Sequence, residues 1–402
     1  MDLLHFLKFY PDTGKPIDNE TMYRRFGDAA AIDKTELETL TPVGRDGRRY
    51  SLPKRRARWM QQELKRLGLL ERVGRAQWKL TEQGRKKVRL TQTIGDFSML
   101  AFSTRLGIAV WGDARAVFDK IDTPITLMVS SPPYPIMYGR AYGKWGEDEV
   151  IDLIVAVVEK ILKNLVDGGS VMLNVGVDVF EKGKASRSVW VERLILRIYD
   201  VLGLRLMDRI IWHNPSKIPG PVEWASKRRI QMSSAYEPVL WFSNNPNKSK
   251  TDNRRILTPY TDKQKKLIER GGEAQGRQNG DGAYTSRRGA FGKDNGGSMP
   301  RNIFKRGHIS RSSSRYRSLC KENGLPTHHA MFPFELAEHL VKFGSEEGDL
   351  VVDPFGGSLT TAAVCEENRR RFITTDVVHE YLHGGGLRLG ADMEVDFLNV
   401  TV

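Results

Sequence analysis

The stretch Leu350-Val351-Val352-Asp353-Pro354-Phe355-Gly356-Gly357-Ser358 decides the fold. An apolar run ends in an acid and a glycine-rich turn. Residues 359–368 follow with helical spacing, and a second apolar run, 372–375, closes on Asp376. Strand, glycine turn, helix and strand predict a parallel βαβ unit. The glycines let a ligand approach the backbone closely, and the following helix offers free N–H groups. Asp376 stands about twenty residues beyond the turn, where an acid can accept hydrogen bonds from ribose hydroxyls. The stretch lacks the G-x-G-x-x-G spacing, and Asp353 would repel a phosphate. A ligand with a ribose and a positive charge fits better, and S-adenosylmethionine carries both. Taken alone, an ordinary tight turn is the alternative.

Working outward, residues 125–129 form another apolar run, ending in Ser130-Ser131-Pro132-Pro133-Tyr134. Strand C-termini are where open α/β sheets bind ligands. Two prolines fix the backbone and leave carbonyls free to accept hydrogen bonds. With the Tyr134 ring they make a slot suited to a planar base bearing an exocyclic amino group. A helix is predicted over 148–165, ended by Gly168-Gly169, and a buried strand over 171–175. Helix and strand signals continue through 191–202, 206–212 and 237–242, and a helix is predicted over 334–343. This alternation predicts a doubly wound, mostly parallel α/β sheet with helices on both faces.

The two segments together resemble the amino-methylating DNA methyltransferases. Ser131-Pro132-Pro133-Tyr134 matches that family's (Asp/Asn/Ser)-Pro-Pro-(Tyr/Phe) catalytic motif. The run from Asp353 to Thr361 matches its cofactor motif, Asp-Pro-Phe-x-Gly-Ser-Gly-Thr-Thr. His328-His329-Ala330-Met331-Phe332-Pro333 is similar to the motif just upstream, His-Pro-Ala-x-Phe-Pro. Gly112-Asp113 matches a pair whose acid lies near the cofactor's adenine. The resemblance covers about 105–245 and 327–385. The catalytic motif precedes the cofactor motif, an order that resembles the β class and implies a permuted methyltransferase sheet with target recognition between the motifs. It implies that Ser131, Pro132, Pro133 and Tyr134 are catalytic. It implies cofactor contacts at Asp353, Pro354, Phe355, Gly357, Ser358, Thr360, Asp376, Phe332, Pro333 and Asp113. Two departures stand out: Leu359 replaces the motif's last glycine, and His329 replaces a proline.

Charge points the same way. The 402 residues carry 63 Lys/Arg against 49 Asp/Glu, a net +14, with pI about 9.6. Residues 41–94 hold 16 basic and 4 acidic residues, and residues 246–326 hold 19 and 7, each a net +12. Such segments fit nucleic acid. Arg287, Arg288, Arg301, Lys305, Arg306, Arg311, Arg315 and Arg317 are the candidate DNA contacts. Residues 54–67 read as a helix, 69–80 as a hairpin around Gly74, and 81–90 as a second helix capped by Thr81. These resemble a winged-helix DNA-binding domain. The expected division is therefore 1–94 winged-helix-like, 95–245 catalytic half, 246–326 basic and loop-rich target-recognition segment, and 327–402 cofactor half.

Composition excludes other classes. Hydrophobic residues are 40%, enough for a packed core. No stretch approaches the ~20 apolar residues of a membrane helix, and Met1–His5 does not open a secretory signal. Cys320 and Cys365 are too few for a disulfide scaffold or a cysteine-rich metal site, so no metal is expected and a reducing cytoplasm fits. Neither cysteine follows a proline, which disfavours cytosine C5 chemistry. In the family, serine at the first motif position is associated with cytosine N4, and Asp or Asn with adenine N6. The expected activity is therefore S-adenosylmethionine-dependent N4-cytosine methylation of double-stranded DNA, possible only with the base flipped out, and a restriction endonuclease is a candidate partner. Adenine N6 methylation is the alternative within the family; a catalytically silent winged-helix DNA-binding protein is the alternative outside it. Weaker candidates are Asn174, His213 and Glu237.

Overall fold

The computed structural model describes the chain apart from residues 1–5, 8, 12, 14, 31, 44–47, 67, 86–97, 136–145, 281, 283, 308, 329, 390–395 and 398–402. The N-terminal unit contains β1 (Ile17–Asp18), α1 (Asn19–Ala29), α2 (Lys34–Glu38), β2 (Leu40–Val43), β3 (Arg48–Ser51), α3 (Leu52–Arg66), β4 (Leu70–Gly74) and β5 (Gln77–Leu80). Helix α3 turns Ala57, Met60, Gln61 and Leu64 inward at helical spacing. They join Phe6, Tyr10, Met22, Phe26 and Trp78 in a core of their own. The expected hairpin is β4–β5, and β1 adds to β5 to make a three-stranded antiparallel sheet. Thr81 Oγ1 accepts from the Gly84 N–H at 3.0 Å, starting the expected cap. The rest of that helix, to Leu90, lies outside the described residues, as do Leu67 and Met1–His5.

The large domain is one ten-stranded sheet. Its elements are β6 (Met99–Ser103), β7 (Gly107–Trp111), α4 (Ala114–Asp119), β8 (Ile125–Ser130), α5 (Glu147–Leu162), β9 (Leu165–Asn174), α6 (Trp190–Leu202), β10 (Arg205–His213) and β11 (Tyr236–Ser243). There follow α7 (Asp262–Glu269), β12 (Arg277–Asn279), β13 (Tyr284–Ser286), β14 (Ile303–Lys305), α8 (Arg311–Glu322), α9 (Phe334–Gly344), β15 (Leu350–Asp353), α10 (Thr360–Glu367), β16 (Arg371–Asp376), α11 (His379–Arg388) and β17 (Asp396–Phe397). The strand order is β14-β10-β11-β9-β8-β15-β16-β7-β6-β17. The centre, β9-β8-β15-β16-β7, is parallel, and antiparallel strands flank it. Every residue of β8 and β15 is buried, as a parallel strand covered on both faces requires. Helices α4, α5 and α6 cover one face, and α9, α10 and α11 the other.

Two expectations need correction. Gly168-Gly169 do not end a helix. Helix α5 stops at Leu162, and both glycines lie inside β9 as an irregularity between the Ile125–Leu165 and Leu127–Ser170 pairs. Gly168 has φ +80°, and a Cβ there would fall 1.8 Å from the Lys248 carbonyl oxygen. The glycine serves this close approach. Nor is 246–326 one loop-rich insertion. Asp252 N–H and the Arg255 guanidinium bond the Phe343 carbonyl at the end of α9. Strand β14 extends the large sheet beside β10, and α8 buries Tyr316 and Cys320, one turn apart, with Met331. A Cβ on Gly384 of α11 would lie 2.6 Å from Cys320 Sγ. This contact seats α8 on the cofactor half.

Candidate active site

Strands β8 and β15 are parallel neighbours, so the loops leaving their C-termini emerge side by side. One cleft opens there. Ser131, Pro132, Pro133 and Tyr134 line one wall, Pro354, Phe355, Asp376 and Val377 another, and Gly112, Asp113, His328 and Ala330 complete it. Pro354 and Phe355 thus reach the cleft from the cofactor loop, and Asp113 from the loop after β7.

Asp376 lies half-buried at the end of β16. Its carboxylate accepts the N–H groups of Gly357 and Val378, both at 2.8 Å. Burial nevertheless pushes its pKa up from 3.8 to about 6. Asp113 behaves oppositely. Burial pulls its pKa upward, but the Arg115 backbone N–H at 2.8 Å and the Arg115 guanidinium at 2.5 Å hold it below the ordinary carboxylate range. Two acids of different strength therefore face the cleft.

Asp353 is not on the wall, contrary to its assignment as a cofactor contact. It is buried, and it accepts from Ser130 Oγ at 2.6 Å, Thr361 Oγ1 at 2.7 Å and the Phe355 N–H at 3.1 Å. Burial raises its pKa. Ser358 and Thr360 are buried too. The Ser358 carbonyl and Thr360 Oγ1 accept from the buried Arg388 guanidinium at 3.1 and 2.9 Å, and Arg388 also bonds Ser312 Oγ on α8 at 2.7 Å. These groups hold the loop's shape. Phe332 packs into the core and Pro333 sits at the N-cap of α9, so their motif reaches the cleft through His328 and Ala330. The His328 N–H donates to Tyr316 Oη at 3.0 Å, and its ring stands edge-on to Tyr381 at 4.8 Å. His329 lies outside the described residues.

Gly357 has φ +50°, and a Cβ there would sit 3.2 Å from His328 Nε2, so the loop needs a glycine to pass this ring. Leu359 is left-handed as well, at φ +57° and ψ 37°, and fully buried as the cap of α10. Leucine pays about 1–2 kcal/mol in a conformation that glycine adopts freely. The matching space is at Gly385, where a Cβ would fall 2.4 Å from Leu359 Cγ. Leu359 therefore keeps the loop's course, and the helix starts at Thr360, one residue later than expected.

On the catalytic wall the Tyr134 ring lies against Gly176. A Cβ there would be 3.2 Å from Tyr134 Cε2. Ser130 pairs with Leu173, which sets Ser131 beside Asn174 on β9. Asn174 Nδ2 donates to Glu237 Oε2 at 3.0 Å, while Asn174 Oδ1 is buried with no partner among the described residues. Sequence reasoning left His328 out of the site, although it quoted the motif that carries it. Neither cysteine lines the cleft, and burial pushes both thiols up. His213 pairs with Tyr236 across β10 and β11, off the cleft wall.

The basic candidates sit on several elements. Arg287 and Arg288 are exposed beyond the β12–β13 hairpin. Lys305 and Arg306 lie at the catalytic end of β14, where the Arg306 N–H donates to the His213 carbonyl at 3.1 Å and its guanidinium pairs with Glu335 at 2.6 Å. Arg301 lines a separate open groove with Asp208, Trp241, Arg254 and His339. Arg311 and Arg315 are exposed on α8, and Arg317 is half-buried there.

Residues 125–385 match the DNA methylase family, and residues 3–89 match the Mrr N-terminal domain. The type II methyltransferase M.PvuII of Proteus hauseri is 34% identical over 297 residues, 72% of this chain and 85% of that protein. M.BglII of Bacillus subtilis is 24% identical over 275 residues, 66% of this chain and 64% of that protein. The solved structure of the cytosine-N4-specific PvuII DNA methyltransferase superposes with a TM-score of 0.58 at 28% identity, covering 73% of this chain and 89% of that one. No helix among the described residues is long and apolar enough to cross a membrane.

Proposed function

The chain belongs to the DNA methylase family, and from that premise we propose that it transfers the methyl group of S-adenosylmethionine to the exocyclic N4 amino group of a flipped cytosine in double-stranded DNA. One observation carries the reading. Ser131, Pro132, Pro133 and Tyr134 line a single cleft together with Pro354 and Phe355 of the loop after β15. The likeness to a cytosine-N4-specific structure and the serine at 131 support cytosine N4 over adenine N6.

The residues fit the cofactor. Asp376 can accept from ribose hydroxyls, Asp113 lies where the resemblance puts the adenine, and Phe355, Pro354 and Val377 supply apolar wall. Gly357 leaves the backbone open beside His328. When bound, S-adenosylmethionine supplies an electrophilic methyl group on its sulfonium. The amino nitrogen of cytosine is a poor nucleophile because its lone pair is delocalised into the ring. Ser131 Oγ and the Pro132 carbonyl accept its N–H bonds, favour a pyramidal nitrogen and stabilise the positive charge that develops on it. Tyr134 stacks on the base and holds it in line. Direct transfer needs no covalent enzyme intermediate.

The other assignments belong to the same proposal. Residues 1–94 are a winged-helix-like unit that contacts DNA. Arg287, Arg288, Arg301, Lys305, Arg306, Arg311, Arg315 and Arg317 contact phosphates or base edges. The protein works in the cytoplasm, and a restriction endonuclease is its candidate companion. The test is to incubate DNA with the protein and labelled S-adenosylmethionine, digest it, and identify the modified nucleoside by mass. N4-methylcytosine is expected. N6-methyladenine would overturn the base assignment, and no label together with no cofactor binding by calorimetry would overturn the enzyme.

A further inference from the structure

We propose that the connection between β10 and β11, residues 214–235, is an apolar wedge that enters the DNA base stack beside the target base. The inference rests on the methyltransferase reading and adds a surface that reading does not contain. Strand β9 runs parallel to β8, β11 antiparallel to β9, and β10 antiparallel to β11. The connection therefore leaves the sheet at the same end as Ser131 and Tyr134.

Four large apolar side chains stand in water on it. Ile218 is 83% exposed, Val222 57%, Ile230 62% and Met232 88%. Soluble chains rarely hold such a group in one connection unless something covers it. The connection is also pinned. Lys217 Nζ bridges Asp178 at 2.8 Å and Glu237 at 3.2 Å. Arg187 donates to Ser234 Oγ at 2.6 Å, Gln231 Nε2 to the Ala185 carbonyl at 3.0 Å, and the Ser234 N–H to the Gly220 carbonyl at 2.9 Å. Asp178 lies two residues from Gly176, on which the Tyr134 ring rests. The exposed side chains are thus presented on a braced support continuous with the catalytic wall.

Charge decides the occupant. Lys227, Arg228 and Arg229 are exposed on the same connection; Lys227 and Arg228 share the one carboxylate of Glu223, each at 3.2 Å, so the cluster keeps a net positive charge where phosphates would flank an inserted side chain. A base that leaves its stack opens a gap, and apolar side chains are the groups proteins insert between base steps. A second copy of this chain, which carries the same cations, fits less well.

The experiment uses the full-length protein and a synthetic duplex carrying the site mapped on plasmid DNA that the wild type has methylated. Ile218→Ser and Met232→Ser change side chains more than four-fifths exposed, so the fold is not at stake. Expected is a fall of about tenfold in kcat/KM on the matched duplex, the scale of one lost apolar burial. Cofactor affinity stays unchanged, and the deficit closes on a duplex whose target cytosine is mispaired and already unstacked. Wild-type rates for both variants would overturn the wedge, as would an equal deficit on matched and mispaired duplexes. A wild-type dimer that becomes a fully active monomer on substitution would overturn it in favour of self-association. A wild type that labels no DNA removes the methyltransferase premise and the wedge with it.

Discussion

Lowering the pH should release the cofactor through one residue, Asp376. Burial raises its pKa to about 6 although two backbone N–H groups point at it. The ionised carboxylate is the stronger acceptor for ribose hydroxyls. If that form binds, the apparent dissociation constant scales with the inverse of the ionised fraction. That fraction is about nine-tenths at pH 7 and about one-tenth at pH 5, so affinity should fall about tenfold between them. The folding linkage has the opposite sign. A carboxyl raised from 3.8 to about 6 destabilises the folded state once ionised. The penalty is absent below pH 3.8, grows through the window and is complete above about 6, at up to about 3 kcal/mol. Asp376→Asn removes the charge but also one acceptor, so the ligand-free variant should melt at or above the wild type at pH 7. The assay is calorimetric titration of S-adenosylmethionine from pH 5 to 8, with melting curves alongside. Wild-type affinity should follow the curve, and the variant should bind more weakly at pH 7 and respond little to pH. His328 shares the cleft, so the variant decides the matter. A tenfold pH effect that persists in Asp376→Asn would refute the reasoning, and so would a flat wild type.

Four substitutions separate the two walls of the cleft. Ser131→Ala and Tyr134→Ala should each lose turnover while calorimetric cofactor affinity holds; a wild-type labelling rate for both would remove the proline loop from the chemistry. Gly176→Ala places a methyl 3.2 Å from the Tyr134 ring edge, so kcat should drop about tenfold with cofactor affinity intact, and an unchanged kcat would show that the ring's position is not critical. Leu359→Gly relieves a left-handed leucine but empties a fully buried site. The cavity costs about 3–5 kcal/mol and the relieved strain returns about 1–2. Denaturant titration should therefore show a net loss of about 1–4 kcal/mol, with cofactor binding preserved.

The central strands were readable because a parallel strand buried on both faces leaves a nearly continuous apolar run, and β8 and β15 end abruptly in Pro-Pro and Gly-Gly turns. The same punctuation pointed to Ser131, Tyr134 and Asp376, and the family resemblance to Pro354 and Phe355; all five line the cleft. What failed to read was long-range. Gly168-Gly169 has the composition of a helix stop, and only the backbone of Lys248 passing against it turns it into a strand irregularity. Helix α8 carries Arg311, Arg315 and Arg317, and in the sequence this charge is its visible feature. Its opposite face, Tyr316 and Cys320, commits it to α11. Arg388 carries no local signal at all. It acts on Ser358 and Thr360 from the far end of α11.

Asp353 shows why motif membership and ligand contact are different properties. An acid in a cofactor loop invites the reading that it attracts the cofactor's positive charge. Both oxygens of Asp353 are already occupied, by Ser130 from the catalytic strand, Thr361 from α10 and the backbone of its own turn. A buried carboxylate without such donors would be strongly unfavourable, so the three contacts are required together. Their geometry fixes the end of β15 against the end of β8, one residue before Ser131. These hydrogen bonds thus set how far Ser131 stands from the loop after β15, while Asp113 and Asp376 face the cleft. Of these, Asp113 stays charged in acid because Arg115 holds its pKa down, while Asp376 does not. The difference follows from burial: Asp353, 6% exposed, organises the walls, while Asp113 and Asp376, with surface left open, line the cleft.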